Sequence, residues 1–143
     1  MTVALRPAPS ALTVGYLHTL LLYALDKQLV VKSNFCYNPE FLDPRVLPES
    51  IKQQYLRPYQ QLLNQLPQTN STDINASDPS QVKQIVRDLA SMIVNCLLAP
   101  QPDDAHQQLA AMVKHCRQWD EVYGYNAVEL YPELAEIFQN YGY

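Results

Sequence analysis

The spacing of apolar positions predicts helices along most of the chain and a strand in one interval. Residues 2–5, Thr-Val-Ala-Leu, predict a short strand ahead of the turn-forming Arg6-Pro7-Ala8-Pro9. Ser10 then suits the N-cap of a first helix from about Ala11 to Lys27. Its apolar residues Leu12, Val14, Leu17, Leu20, Leu21, Ala24 and Leu25 cover a wide arc, which predicts burial on more than one side. His18 and Asp26 sit toward its polar edge. Leu29 to Tyr37 breaks the helical period, because Val30, Val31, Phe35 and Tyr37 favour a strand. Paired with residues 2–5 it would make a parallel strand–helix–strand crossover. Two short strands make a poor sheet by themselves. The segment is therefore expected to pair with another chain, to belong to a larger sheet, or to collapse onto a helical core.

Helical spacing resumes at Pro48-Glu49, a proline at a first helical position followed by an acidic residue. It continues through Ile51, Tyr55, Leu56, Tyr59, Leu62 and Leu63 to Leu66, with Pro58 predicting a kink or break near Gln54 to Arg57. Gln68 to Ser77 is polar and predicts a mobile surface loop near 68–78. Ser77-Asp78-Pro79 is a strong helix start, and Val82, Ile85, Val86, Leu89, Ile93, Cys96 and Leu97 give the most regular amphipathic period. Ala99-Pro100-Gln101-Pro102 stops that helix. Asp103 or Asp104 is expected to cap the next, with Leu109, Met112, Val113, Cys116, Trp119 and Tyr123 facing inward and Gly124 ending it. A last short helix is predicted from Tyr131-Pro132-Glu133 to about Gln139, with Leu134, Ile137 and Phe138 on its apolar face. The fold class expected is mainly α: a single domain over residues 1–143, an irregular bundle of four to five helices with at most one or two short strands.

Composition narrows the function classes. The chain has 143 residues, 48% hydrophobic and only 17% charged, with a net charge of −4, enough for one domain with a real core. Its ten Lys and Arg residues are scattered with no run of three, which argues against a nucleic-acid groove. No apolar run approaches a membrane span, and Pro7 and Pro9 interrupt any signal-peptide pattern. Cys36, Cys96 and Cys116 are an odd, widely spaced set, which points to a reducing cytoplasm rather than a disulfide scaffold. The sequons at Asn70 and Asn75 then read as chance. A soluble, cytoplasmic protein binding neither nucleic acid nor membrane is expected.

No residue pattern identifies a reaction. His115-Cys116 with Asp120 suggests a thiol–imidazole pair, but a base must lie within hydrogen-bond reach of the thiol. Neighbours on a helix diverge by about 100°. His115 therefore shares a face with Trp119, and Cys116 with Asp120. The three cysteines lack the close C-x-x-C-like pair of zinc and cluster sites, and Cys96 and Cys116 read as core-facing. Asp103, Asp104, Glu121, Glu129, Glu133 and Glu136 read as helix-start or solvated-face residues, with no acid–base couple among them. Neither a metal nor a cofactor is expected. Trp119, Tyr123, Tyr125, Tyr131, Tyr141 and Tyr143 form a C-terminal aromatic set, open to either a core or an interface role. The core is favoured slightly for Trp119 and the interface for Tyr141 and Tyr143.

Several short motifs stand in a suggestive order: Ala11-Leu12-Thr13-Val14-Gly15-Tyr16-Leu17, Asn38-Pro39-Glu40-Phe41-Leu42 and Val46-Leu47-Pro48-Glu49-Ser50-Ile51-Lys52. Trp119-Asp120, Leu130-Tyr131-Pro132-Glu133-Leu134 and Ile137-Phe138 to Tyr141-Gly142-Tyr143 follow. Together they resemble the C-terminal region of twitch-type radical SAM proteins of bacteria and their phages. The resemblance covers most of this chain but only about the last third of such a protein. It implies an "NPxFL…LP" connection leaving the last part of a barrel and a helical tail ending in a "PEL…GY"-like segment. Radical SAM chemistry needs a C-x-x-x-C-x-x-C loop for its iron–sulfur cluster. This sequence has no two cysteines closer than twenty positions. An auxiliary cluster, which twitch regions of related enzymes can bind, meets the same objection.

Three readings follow. The first is a non-catalytic interaction module, related to the twitch-type region, docking onto itself or a protein partner through the strand edge and the aromatic C-terminus. Its candidate contact residues are Phe35, Tyr37, Phe41, Tyr125, Tyr131, Tyr141 and Tyr143. The second is an accessory, substrate-contacting half of a split radical SAM enzyme. The third is a small independent enzyme, which would require a deep polar pocket where His115, Asp120 and a tyrosine hydroxyl converge.

Overall fold

Two proline-interrupted segments and six helices make up the computed structural model, which describes residues 4–66 and 81–142. Strand β1 (Ala4–Leu5) and strand β2 (Val30–Val31) pair in parallel, Ala4 opposite Val30 and Leu5 opposite Val31. Helix α1 (Leu17–Lys27) connects them.

The strand expected over Leu29 to Tyr37 is thus only two residues long, and the prolines opposite explain why. Lys32 N–H donates to the Leu5 carbonyl at 2.9 Å, Asn34 to Pro7 at 3.4 Å and Cys36 to Pro9 at 2.9 Å. A parallel ladder needs every second residue to accept on one side and donate on the other. Pro7 and Pro9 accept but have no N–H to return, so beyond Leu5 only half a ladder forms. Residues 29–37 therefore find their partner inside the chain, in residues 4–9.

The first helix also starts later than expected. Ser10 does cap a helical turn: Thr13 N–H donates to its Oγ at 3.3 Å, and Ser10 N–H donates to Thr13 Oγ1 at 3.0 Å. That turn breaks near Gly15 and Tyr16, and regular α-helix begins at Leu17. A Cβ on Gly15 would stand 2.6 Å from the Tyr55 ring, so the glycine is where the chain lets that ring in.

Helix α2 (Glu49–Gln65) and helix α3 (Val82–Leu98) form the most extensive helix pair. Their facing stripes bury Ile51, Tyr55, Leu56, Tyr59 and Leu62 against Val86, Leu89, Ile93 and Leu97. Pro58 does not break α2. It frees the carbonyl of Gln54, which lies on the exposed side where water can satisfy it. The pair is antiparallel, since Lys52 near the start of α2 reaches Ala99 past the end of α3, and Arg87 near the start of α3 reaches Leu66 past the end of α2.

Helix α4 (Ala105–Tyr123) buries Ala105, Leu109, Met112, Val113 and Cys116 and ends at Gly124, whose φ of 71° is the expected glycine terminus. Asp104 makes no side-chain cap to it; its carboxylate accepts from Gln108 Nε2 at 2.7 Å instead. Trp119 and Tyr123, expected to face inward, are 52% and 61% exposed. Their stripe continues the helical period, but α4 buries nothing after Cys116 because it runs past the body it packs on. A short helix α5 (Ala127–Leu130), not foreseen in the apolar pattern, is capped by Asn126, which accepts from Val128 N–H at 3.1 Å. A 3-10 turn (Pro132–Leu134) then leads into helix α6 (Ala135–Asn140), which buries Ile137 and Phe138 as expected.

The fold is the expected mainly-α irregular bundle with a minimal parallel sheet. Among the described residues no helix is long and apolar enough to cross a membrane. Residues 2 and 3 of the first strand, the 68–78 loop, the Ser77-Asp78-Pro79 start signal, Asn70, Asn75 and Tyr143 lie outside the described residues.

Candidate functional site: an aromatic ridge and the cleft beneath it

The last turns of α4 and the residues just after it carry a row of aromatic rings. His115 stands 5.3 Å from Trp119 between centroids, Trp119 is 5.6 Å from Tyr123, and Tyr123 is 6.1 Å from Tyr125. The i,i+4 contact of His115 with Trp119 is the one the helical spacing called for. Phe41, from the 3-10 turn Glu40–Leu42, closes the near end against His115 at 5.2 Å. Val122 and Leu130 are also exposed beside this row.

Beneath the ridge lies a cleft of about 410 Å³. It is lined by Leu12 and Leu42, by His115, Cys116, Trp119 and Asp120 of α4, and by Ala127, Leu130 and Tyr131. Local bonds hold this lining. Ala11 N–H donates to the Leu42 carbonyl at 2.7 Å, tying the first turn to residue 42. Tyr16 Oη donates to Glu133 at 2.5 Å and to the Leu130 carbonyl at 3.3 Å, and its ring meets Tyr131 at 6.3 Å. Asp120 Oδ2 accepts the Ala127 N–H at 2.9 Å and so sets the turn that carries Tyr125.

The cleft is mainly apolar, and its chemistry follows from that. Cys116 is pushed up to about 11, first by burial and then by the Asp120 carboxylate, so it is a protonated thiol at neutral pH. Burial also raises Tyr131, with Cys116 and Asp120 adding to it. Ser10 and Thr13 spend their hydroxyls on each other at 3.0 Å, and Thr13 also donates to the Ala8 carbonyl at 2.8 Å. His115, Asp120 and Tyr131 do line one cleft, but it is not the deep polar pocket that catalysis by this set would require.

A second, polar groove of about 520 Å³ lies between Tyr37, Glu40, Asp43 and Arg45 on one side and Gln101, Asp104 and Gln108 on the other. Its charges answer one another. Asp43 accepts from Arg45 Nε at 3.0 Å and from the Arg45 backbone N–H at 2.9 Å, while Gln108 bridges Glu40 at 3.0 Å and Asp104 at 2.7 Å. Among the described residues no three His, Cys, Asp or Glu side chains form a metal-binding group.

The candidate contact residues divide. Phe41, Tyr125 and Tyr131 gather around the ridge and cleft. Phe35 stacks on Tyr37 at 5.7 Å, with Arg45 over the Tyr37 ring, on the polar groove. Tyr141 leans on His106, half-buried against the core. The expected core position of Trp119 is not observed, since it is 52% exposed where α4 outruns the bundle, while Tyr141 is half-buried. Cys116 is buried as expected, whereas Cys96 is half-buried at a rim beside Tyr37 and Arg45. Trp119, Tyr123 and Leu130 are the ridge residues missing from the sequence-based set. Trp119 and Tyr123 belong to the C-terminal aromatic set legible in the sequence, whereas nothing in the sequence pointed to Leu130.

No family model, curated protein or solved structure matches the chain.

Proposed function

We propose that the chain is a non-catalytic protein-interaction module that docks a protein partner through the α4 ridge and its cleft. One observation carries this reading. Trp119, Tyr123 and Tyr125, at 52%, 61% and 58% exposure, touch one another in a row that opens directly onto an apolar cleft. Aromatic residues that are costly to leave in water and rigid enough to lose little entropy on docking are the usual anchors of interfaces. The groups that could act chemically there are otherwise engaged: the Cys116 thiol is protonated, and Asp120 holds the Ala127 N–H.

The test compares the intact chain with a Trp119→Ser/Tyr123→Ser double variant as baits in quantitative affinity purification, with solution mass measured by light scattering. A stoichiometric partner, or a self-associated species, is expected with the parent chain and lost in the variant at unchanged thermal stability. A monomeric parent chain that retains nothing stoichiometrically, or retention equal in both, overturns the reading.

A further inference from the structure

The segment that opens the fold has one edge left free. Leu5, Pro7 and Pro9 turn their carbonyls to the β2 side, accepting from Lys32, Asn34 and Cys36. In a parallel ladder the residues between face the opposite way. Ala4, Arg6 and Ala8 therefore direct their backbone groups away from β2. Among the described residues, the Arg6 N–H, the Arg6 carbonyl and the Ala8 N–H have no hydrogen-bond partner. The Ala8 carbonyl accepts from Thr13 Oγ1 at 2.8 Å. Arg6 and Ala8 are exposed, whereas Pro7 and Pro9 are buried.

The prolines are placed in the reverse of the way that closes an edge. Edge strands are usually blunted by a proline whose missing N–H faces outward. Pro7 and Pro9 face that side inward, so every donor that residues 6–9 possess points outward. Each proline also disfavours the helical region for the residue before it. Arg6 and Ala8 are thereby held extended before anything docks, which lowers the entropy cost of pairing.

Alternating donors and acceptors on an extended segment are complementary to another extended backbone. The edge also leads into the cleft, since Ala8 lines it beside Ser10, Leu12 and Thr13. A second copy of the chain fits this edge poorly. Isologous pairing through all three outward residues sets Ala4 against Ala8 and Arg6 against Arg6, with like charges directly opposite. A register that parts the arginines gives up one of the three pairs.

We infer that residues 4–8 pair with an extended segment of a partner protein, which adds a strand outside β1 and meets the cleft at Ala8. This rests on the interaction-module reading and specifies how the partner's backbone is held beside the same cleft.

Arg6 and Ala8 carry the only amide protons of residues 6–9, so hydrogen exchange at those two sites reports the edge directly. Peptides are selected on the intact chain from a phage-displayed random library and then synthesised. In the free chain both amides are expected to exchange at the rate of an open backbone. A bound peptide slows both by at least about ten-fold. N-methylation of the peptide at alternate residues abolishes binding in one phase of the alternation and spares it in the other. Ala8→Pro, which removes an outward donor and none facing β2, weakens the peptide by about ten-fold. The N-methyl series leaves the protein untouched and keeps the test valid where Ala8→Pro lowers stability.

Recovery of no peptide overturns the inference, as does a bound peptide that leaves the Arg6 and Ala8 amides in fast exchange. Equal effects of the two N-methylation phases remove the strand pairing. Protection already present in the free chain also overturns it: at monomer mass the edge is covered from within, and at dimer mass the occupant is a second copy. A peptide released by Trp119→Ser/Tyr123→Ser but held by Ala8→Pro refutes the edge alone and leaves the interaction module standing. That reading is judged separately, by its stoichiometric partner.

Discussion

The Lys52 ammonium donates to the Ala99 carbonyl at 2.9 Å from a side chain only 1% exposed. Arg87 donates to the Leu66 carbonyl, and to Leu63 at 3.2 Å, at the opposite end of the same helix pair. Each of α2 and α3 thus lends a cation from its first turns to the carbonyl end of the other. Helix C-termini carry unpaired carbonyls and a partial negative charge, so both contacts satisfy acceptors and complement the helix dipole. Lys52 also meets Glu49 at 3.5 Å, but Glu49 is well exposed and that ion pair is weak.

Lys52→Met preserves the packed stem and removes the donor. It is expected to cost about 2 kcal/mol in urea unfolding, as loss of a charged hydrogen bond to a buried acceptor does. Glu49→Gln is expected to cost less than about 1 kcal/mol. Equal losses in the two variants would mean that the ion pair, rather than the Ala99 contact, holds this junction.

Gly15 has a steric role. A Cβ there would lie 2.6 Å from Tyr55 Cζ and 2.7 Å from Cε1, and Tyr55 is buried in the core, so the ring has little room to retreat. Gly15→Ala is expected to destabilise by about 1–3 kcal/mol, the usual range for overpacking. Tyr55→Leu should lower stability by itself yet remove most of the additional cost of Gly15→Ala. A double-mutant cycle by chemical denaturation measures this coupling, and strict additivity would remove the steric account.

How much of this was legible in the sequence depended on how local the cause was. The stripes of α2 and α3, the glycine end of α4 and the apolar face of α6 followed from helical period and end signals, which act within a few residues. The short β2 did not, because its length is set by Pro7 and Pro9 on the partner segment, more than twenty residues earlier. Trp119 and Tyr123 misled for a related reason: their spacing matches the buried stripe, but burial depends on whether another element reaches that far. Of the site, Phe41, Tyr125 and Tyr131 were identifiable as aromatics, and the cleft itself was not. It exists because Leu12, Leu42 and Ala127, far apart in sequence, are brought together by Ala11 N–H on Leu42 and Asp120 on Ala127 N–H.

His18 should couple stability to pH. Burial holds it below the ordinary imidazole value of 6.5, outweighing the Gly15 backbone, which favours the charged form. Its Nδ1 is buried with no partner in hydrogen-bond geometry, and its ring meets Tyr59 edge-on at 5.9 Å. The unfolded chain therefore takes up a proton near 6.5 while the folded chain still resists it. The contribution of neutral His18 is fully present above 6.5 and is lost as pH falls through that value toward the lower folded one. The unfolding free energy of the parent chain minus that of His18→Gln should be flat from about pH 8 to about pH 7 and fall below about pH 6.5. A difference that rises on acidification would reverse the sign and place a favourable partner at Nδ1.

Cys116 gives a chemical readout of the cleft. With its thiol pushed up to about 11 by burial and by Asp120, roughly one molecule in a thousand carries the thiolate at pH 8. Cys36 and Cys96 are only half-buried, so under native conditions iodoacetamide is expected to modify Cys116 last of the three. Unfolding in urea should bring its rate up to theirs. Asp120→Asn removes the carboxylate that disfavours the thiolate and should therefore speed native labelling of Cys116, provided the melting curve is unchanged. Site-resolved mass spectrometry against time separates the cases. Rapid native labelling of Cys116 in the parent chain would mean that the thiol is activated, and the cleft would then have to be reconsidered as a site of nucleophilic chemistry.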